Sequence, residues 1–127
     1  MAMASIEVTH DGGCLCGVVR YRVRGAPKWT AYCHCRSCRR ATGAPVTAYA
    51  GFAADKFELT AAAPTRFASS KGVVRSFCAR CGTPLTYEGE RWPDEVHVLV
   101  GSLDEAEKFA PKGHAFRQEK LPWLHLK

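Results

Sequence analysis

The seven cysteines of this 127-residue chain fall into three tight clusters. The clusters are Cys14-Leu-Cys16, Cys33-His-Cys35-Arg-Ser-Cys38 and Cys78-Ala-Arg-Cys81. Thiolates two or three residues apart can bind one metal ion without straining the backbone, and tetrahedral zinc sites use this spacing. Joining the two cysteine pairs gives four thiolates, which close a site, and leaves three, which keep one position open for a substrate. The sequence therefore predicts a structural zinc and a working zinc.

The two cysteine pairs each precede a glycine, Gly17 or Gly82, that permits a tight return of the chain. We expect the pairs to form one four-thiolate site whose metal stabilises the folded state. The alternative is that these residues are buried free cysteines. The predicted structural ligands are Cys14, Cys16, Cys78 and Cys81.

The triple cluster, Cys33, Cys35 and Cys38, is the candidate catalytic site. Three thiolates on Zn²⁺ give a centre of net charge −1, which is a weak Lewis acid but can hold a further soft ligand such as a substrate thiol. His34 lies inside the C-x-C turn, and we expect it to point away from the metal. The alternative is a second structural zinc completed by a distant histidine, namely His10, His97 or His114.

Three arginines crowd the triple cluster: Arg36, Arg39 and Arg40. They can lower thiolate pKa values and offer forked hydrogen bonds to substrate carboxylates. The alternative is a solvated helix face. Nearby aromatic residues can wall a pocket or simply belong to the core, and these are Tyr32, Tyr49 and Phe52.

The rest of the chain reads as short strands broken by glycine and proline. Residues 18–24 alternate between an apolar face and a basic one, which is typical of a half-buried strand. One or two helical turns are predicted over 37–42, ended by Gly43. A hairpin is predicted with Cys78 and Cys81 in its turn, and the tail from 104 is expected to be mostly loop with Trp123 as an aromatic anchor. Further strands are expected over 29–32, 46–52, 57–60, 73–77, 84–88 and 95–100, so the fold class is mainly β with one short helix.

Length and composition favour one domain over residues 1–127, with 46% hydrophobic residues. No stretch is apolar enough to span a membrane, and no secretory signal is evident, so the expected compartment is the cytoplasm. A net charge of +6 suits a small anionic substrate. Nucleic acid is not expected as a partner because the basic residues are not concentrated in one tract. A homo-oligomer remains open.

The motifs Gly13-Cys-Leu-Cys-Gly17, Cys33-His-Cys35-Arg-Ser-Cys38-Arg-Arg-Ala-Thr-Gly43 and Phe77-Cys78-Ala-Arg-Cys81-Gly82 resemble the glutathione-dependent formaldehyde-activating enzyme family, which includes the centromere protein V-like proteins. The resemblance extends to the closing Lys120-Leu-Pro-Trp123-Leu. It implies a β-tent fold of short antiparallel strands tied by zinc, with the division into structural and catalytic zinc given above.

The resemblance also implies carbon–sulfur chemistry with glutathione as co-substrate. Its thiol would bind the second zinc and add to formaldehyde to give S-hydroxymethylglutathione, and the reverse step is that of a carbon–sulfur lyase. Contacts of the three arginines with glutathione carboxylates are a separate hypothesis. Because a fold does not fix a function, a smaller thiol or another S-substituted substrate is also considered.

Two other functions are considered. In the first, both zincs are structural and the chain is a binding module that presents the basic face of Arg20, Arg22 and Arg24 to a partner. In the second, Cys78-x-x-Cys81 is a redox pair, which would require a βαβ context that the pattern does not show.

Overall fold

The computed structural model describes residues 7–126, and within this range it is mainly β with one α-helix and two sheets. The helix is α1, Arg36–Thr42. The strands are β1 (Thr9–Gly13), β2 (Arg20–Arg24), β3 (Trp29–Cys33), β4 (Thr47–Ala53), β5 (Phe57–Leu59), β6 (Thr65–Ser70), β7 (Val73–Phe77), β8 (Pro84–Gly89), β9 (Glu95–Leu99) and β10 (His114–Ala115). Short 3₁₀ segments occupy Ala54–Lys56, Val100–Ser102, Ala106–Lys108 and Arg117–Glu119. The predicted fold class is confirmed.

The smaller sheet has the strand order β1-β2-β5, and the larger has the order β10-β3-β4-β9-β8-β7-β6. All the strand pairs are antiparallel except β3 with β10, which run parallel with His114 opposite Tyr32. Within residues 7–126, no helix is long and apolar enough to cross a membrane.

The apolar face of β2 is buried, as its alternating pattern predicts. Tyr21 and Val23 are 1% and 0% exposed and belong to the main core between the sheets, together with Phe52, Leu85 and Val98. Burial of a side chain of this size contributes about 1.5–3 kcal/mol. This core fixes how the smaller sheet packs on the larger one.

The basic face of β2 is occupied by contacts within the chain. Arg20 forms a forked pair with the Asp104 carboxylate, at 3.1 and 2.5 Å, and Arg22 pairs with Asp11 at 2.8 Å. These arginines therefore tie β2 to its neighbours, which weakens the argument for a binding module that uses this face.

Helix α1 begins directly after Cys35, whose sulfur accepts a hydrogen bond from the Cys38 N–H at 3.2 Å. It ends at Gly43, which has a left-handed φ of 71° and donates its N–H to the Arg39 carbonyl. A glycine adopts this conformation without a Cβ penalty. The predicted helix is confirmed, and it starts one residue earlier than expected.

Three strands were not predicted: β1, β6 and β10. Every residue of β6 is exposed, so this edge strand has no alternating apolar pattern, and β10 is only two residues long. The expected anchoring role of Trp123 is wrong, because its side chain is 63% exposed.

Candidate functional site

The two cysteine pairs meet at one point, although Cys16 and Cys78 are 62 residues apart in sequence. Cys14 and Cys16 follow β1, and Cys78 and Cys81 lie in the turn between β7 and β8. Two of the Sγ–Sγ distances are 3.6 Å, between Cys14 and Cys16, and 3.8 Å, between Cys16 and Cys78. A tetrahedral zinc with Zn–S bonds of 2.3 Å places its sulfurs about 3.8 Å apart. The geometry therefore fits a four-thiolate zinc.

Thr83 joins the two halves of this cluster. Its hydroxyl accepts the Leu15 N–H at 3.0 Å and lies 3.1 Å from the Cys81 sulfur, to which it can donate. This contact is the first cause of a pKa of about 5 at the Cys81 thiol. Backbone N–H groups of Val19 and Cys81 point at the sulfurs of Cys14 and Cys78, at 3.3 and 3.4 Å. These contacts lower the pKa of the Cys81 and Cys14 thiols, whereas, against a backbone hydrogen bond at Val18, burial and the neighbouring sulfurs raise the pKa of Cys16 to about 11.

The triple cluster forms where β3 enters α1. Cys33 is the last residue of β3, Cys35 caps the helix, and Cys38 is buried in its first turn. The Sγ atoms of Cys33 and Cys38 are 3.5 Å apart, and one Sγ from each of the three residues lies within 4.8 Å of the others. The three thiols thus share one small volume.

The charges in the triple cluster call for a cation. Hydrogen bonds with Cys33 and Cys35 lower the pKa of the Cys38 thiol to about 2, against the effect of burial. The pKa of Cys33 is instead raised, by Cys35, by Cys38 and by burial. Three thiolates at this spacing repel one another, and a bound metal ion would compensate their charge. The donor set and its separations therefore fit zinc.

Two side chains from distant strands contact Cys38. Tyr49 in β4 donates its hydroxyl to the sulfur at 3.4 Å, and an Nη of Arg75 in β7 lies 3.6 Å from the same sulfur. Arg75 also donates to the Tyr49 hydroxyl at 3.3 Å and stacks over the Tyr87 ring, 5.0 Å from its centroid. A half-buried guanidinium thus stands beside the thiolates and offsets their negative charge.

The histidines considered as a fourth metal ligand form hydrogen bonds with other residues. Within residues 7–126, the three-cysteine cluster includes no histidine. His10 pairs with Glu105 and His97 with Glu95, at 3.2 and 2.9 Å. The buried His34 faces His114, with 2.9 Å between their nitrogens. The structure therefore gives no support to a second closed site, and His34 turns to His114 as its place in the turn suggests.

A cavity of about 1350 Å³ opens beside the triple cluster. Its aromatic wall includes Trp29, Tyr49, Phe67, Tyr87, Trp92 and Phe116. Its basic residues include Arg36, Arg40, Arg75, Arg91 and Lys112, whereas the only carboxylate lining it is that of Glu119, among the residues the structure describes. Such a cavity is basic enough to bind an organic anion and large enough to bind a molecule bigger than formaldehyde.

The three arginines of the sequence motif have different environments. Arg36 and Arg40 line the cavity. Arg39 does not line the cavity, and its guanidinium donates to the Glu119 carbonyl at 2.8 Å. The Arg36 N–H also contacts Glu119, through the carboxylate at 3.0 Å. The contact of Arg39 fastens the C-terminal segment to α1.

Sequence reasoning missed Arg75 and Arg91. Arg75 is the single charged residue of strand 73–77, and this is the one sequence feature that indicates a functional role for it. Its distance from Cys38 depends on how β7, β8, β9 and β4 pair, with Arg75 opposite Tyr87 and Tyr87 opposite His97. This register cannot be read from spacing.

A family model and a named relative indicate the same family. Residues 9–119 match the family model described as glutathione-dependent formaldehyde-activating enzyme. A Halomonas elongata protein named "Putative glutathione-dependent formaldehyde-activating enzyme" is 29% identical over 130 residues, which cover 91% of this chain and 80% of that protein. A crystal structure of a Rhodobacter sphaeroides protein has the same fold, with a TM-score of 0.67 and 21% identity over 83% of this chain and 99% of the other.

Proposed function

This chain belongs to the glutathione-dependent formaldehyde-activating enzyme family, and from that premise we propose that it catalyses the addition of the glutathione thiol to formaldehyde and the reverse cleavage. Glutathione and formaldehyde give S-hydroxymethylglutathione, with one new C–S bond and the thiol proton transferred to oxygen. In the reverse direction the reaction is that of a carbon–sulfur lyase.

The observation that carries this proposal is an incomplete thiolate cluster at the wall of a basic cavity. We propose that Cys33, Cys35 and Cys38 hold a catalytic zinc, and that a structural zinc is bound by Cys14, Cys16, Cys78 and Cys81. Zinc with an open position supplies a site at which a substrate thiol loses its proton. The catalytic residues act at the cavity, and the structural cluster holds the strands that form it.

The side chains of the cavity have separate roles in this proposal. Arg36 and Arg40 are exposed enough to reach the carboxylates of glutathione, whose net charge is negative, through forked hydrogen bonds. Arg75 compensates charge at Cys38, so that a second anion can approach. The aromatic wall excludes water from the reacting atoms. Arg39 is a weaker candidate for a carboxylate contact because Glu119 already occupies it.

We place the activity in a reducing compartment such as the cytoplasm. All seven cysteines are free, and both clusters require thiolates. A reducing pool of glutathione would keep these thiols available and also supply the substrate.

NMR exchange spectroscopy tests the proposal directly. Zinc-loaded protein is added to an equilibrium mixture of glutathione, formaldehyde and their adduct, and the exchange rate between free and hydroxymethylated glutathione is measured. We expect wild-type protein to accelerate the exchange and the Cys35→Ser variant, checked for an unchanged circular dichroism spectrum, to lose most of that acceleration. Equal exchange with and without wild-type protein would contradict the proposal.

A further inference from the structure

His97 lies in β9 inside a ring of aromatic side chains. It is 4% exposed and lines the cavity. The Trp29 ring meets it edge-on at 4.5 Å, Tyr87 stacks on it at 5.5 Å, and Trp92 stands 5.3 Å away, all measured between centroids. These contacts hold the imidazole in one orientation.

Glu95 forms a hydrogen bond with one of the two ring nitrogens of His97. His97 Nε2 lies 2.9 Å from Glu95 Oε1, and the Trp29 indole donates to the same oxygen at 3.2 Å. Burial favours the protonated form of Glu95, but the hydrogen bonds from His97 and Trp29 outweigh it and hold the carboxyl pKa below its ordinary 4.5. Burial also lowers the pKa of His97 below its ordinary 6.5, although Glu95 opposes this. At neutral pH the pair is therefore a carboxylate and a neutral imidazole with its proton on Nε2.

The other ring nitrogen is left available. No residue in the described range 7–126 forms a hydrogen bond with His97 Nδ1. The fully buried side-chain nitrogens and oxygens that lack a hydrogen bond do not include this atom. His97 lines the cavity, and with the proton on Nε2 its Nδ1 is the unprotonated ring nitrogen. A basic nitrogen oriented by a carboxylate is the arrangement used in general acid–base catalysis.

Tyr49 connects His97 to the thiolate cluster. The Tyr49 and His97 ring centroids are 6.4 Å apart, and the Tyr49 hydroxyl is 3.4 Å from Cys38 Sγ. Tyr87 gives a second connection. Its ring stacks on His97, and the Arg75 guanidinium, which contacts Cys38, lies over the same ring. The three cysteines and His97 line the same cavity, so a thiol and a one-carbon aldehyde bound beside the cluster would share that cavity with the imidazole.

We infer that His97 is the general base and acid of the thiol–aldehyde addition, with Nδ1 as the proton-carrying atom and Glu95 as its positioning residue. The inference rests on the proposed function. His97 Nδ1 takes the proton of the thiol, the sulfur lone pair forms the S–C bond, and the carbonyl π pair moves onto oxygen. The imidazolium then gives its proton to that oxygen. Thiol and aldehyde become the hemithioacetal with no other reactant.

Several charged or titratable groups face this imidazole besides Glu95. From β8 and β7 come Tyr87 and Arg75, from β4 comes Tyr49 with Cys38 behind it, and from the loop before β9 comes Arg91, whose guanidinium stacks on Trp92. Lys28 lies 3.5 Å from the second oxygen of Glu95. Burial opposes a positive charge on His97, whereas Glu95 and Cys38 favour it. In our inference the rate falls as the pH drops through the His97 pKa, because the imidazolium cannot accept the thiol proton.

The first test compares two histidine–carboxylate pairs of the same chain. His97→Gln should lower kcat of the exchange reaction by about a hundredfold, the usual size of a general-base contribution, with KM for glutathione changed less than threefold and without the acidic limb of the pH profile. His10→Gln removes a histidine paired with Glu105 outside the cavity and should keep wild-type kcat. A His97→Gln variant with wild-type kcat and an unchanged pH profile would overturn the inference.

Glu95→Gln distinguishes proton transfer from a merely structural contact. Glu95 raises the pKa of His97, so its replacement by a neutral amide should move the acidic limb of the profile to lower pH. An unmoved limb would mean that another group titrates, and the inference would be wrong. Wild-type protein that does not accelerate exchange would overturn the proposed function and this inference with it, whereas an active wild type with an unaffected His97→Gln variant overturns the inference alone.

A spectroscopic measurement checks the same assignment without activity. The long-range ¹H–¹⁵N spectrum of ¹⁵N-histidine-labelled, zinc-loaded protein at neutral pH should show His97 with its proton on Nε2, and added glutathione should shift its Nδ1 resonance. His97→Gln identifies the signal. A His97 protonated on Nδ1, or protonated on both nitrogens at neutral pH, would contradict the inference.

Discussion

Cys38 is the residue on which the candidate active site converges. It accepts hydrogen bonds from a tyrosine of β4 and an arginine of β7, and its sulfur touches that of Cys33. Hydrogen bonds to a thiolate reduce its donation to a metal, and a fixed positive charge offsets the net −1 of a three-thiolate zinc. These contacts favour the approach of an anionic thiol to a site that is otherwise negative.

Replacing Arg75 should therefore weaken thiol binding. For Arg75→Gln we expect about a tenfold loss of glutathione affinity, because a charge-assisted hydrogen bond contributes about 1.5–3 kcal/mol and glutamine retains part of the contact. The shift of the sulfur-to-cobalt absorption of cobalt-substituted protein on titration with glutathione measures this. Arg66→Gln, which removes an exposed arginine of β6 paired with Glu88 of β8, is the matched control and should bind like wild type. Equal affinity in the Arg75 and Arg66 variants would contradict this role.

Thr83 is the corresponding residue at the structural cluster. Thr83→Val removes the hydroxyl that accepts the Leu15 N–H and contacts Cys81. We expect a loss of about 1–2 kcal/mol in the free energy of unfolding and weaker zinc retention against a chelator, since a hydrogen-bond network at a metal ligand is lost. Chemical denaturation and competition with a chromogenic chelator measure the two effects. Thr65→Val, at an exposed position, should change neither.

At the scale of elements, the β7–β8 hairpin links the two clusters. Its turn carries Cys78 and Cys81, and Arg75 lies three residues before Cys78 on β7. The register that places Arg75 against Cys38 is thus fixed a short distance from the structural cluster. A metal at that cluster would hold the strand that presents Arg75 to the cavity.

The β3–β4 pair positions the aromatic wall with little tolerance. Gly51 lies opposite Trp29, and a Cβ on Gly51 would overlap the indole ring. Gly51→Ala should therefore displace Trp29 from Glu95, with a loss of about 1–3 kcal/mol in unfolding free energy, as for other overpacked sites. Chemical denaturation and a shift in tryptophan fluorescence measure this. Gly101→Ala, where the added methyl group meets no atom within 4 Å, is the control, and equal stability of the two variants would contradict the argument.

The sequence predicts the elements that have a strong local pattern and misses those that depend on pairing. Alternation identifies β2, glycine identifies the end of α1, and cysteine spacing identifies the ligand groups. Strand β6 has no buried face, so its sequence has no alternating apolar pattern from which a strand could be predicted. Arg75, Tyr49 and His97 come together through the register of four strands, which no single segment encodes. For this reason the sulfurs are predictable from spacing and their surroundings are not.

At the scale of the whole molecule, the two clusters should differ in what they support. Cys81→Ser removes a ligand from the four-thiolate site, and the loss of structural zinc, which contributes about 10–16 kcal/mol in small zinc domains, should leave the chain unfolded. Cys35→Ser should keep the fold and lose activity. Circular dichroism and thermal melting measure the first property, and the exchange rate measures the second. If both variants unfold alike, the division of roles is wrong.

The most direct test of this account is the number of zinc ions bound per chain. Elemental analysis of protein reconstituted with zinc under reducing conditions and freed of unbound metal should give two zinc ions, one for each cysteine cluster. The Cys35→Ser variant should retain one. A wild-type value of one or less, or the same value in wild type and variant, would contradict the claim that a closed site and an open site share this chain.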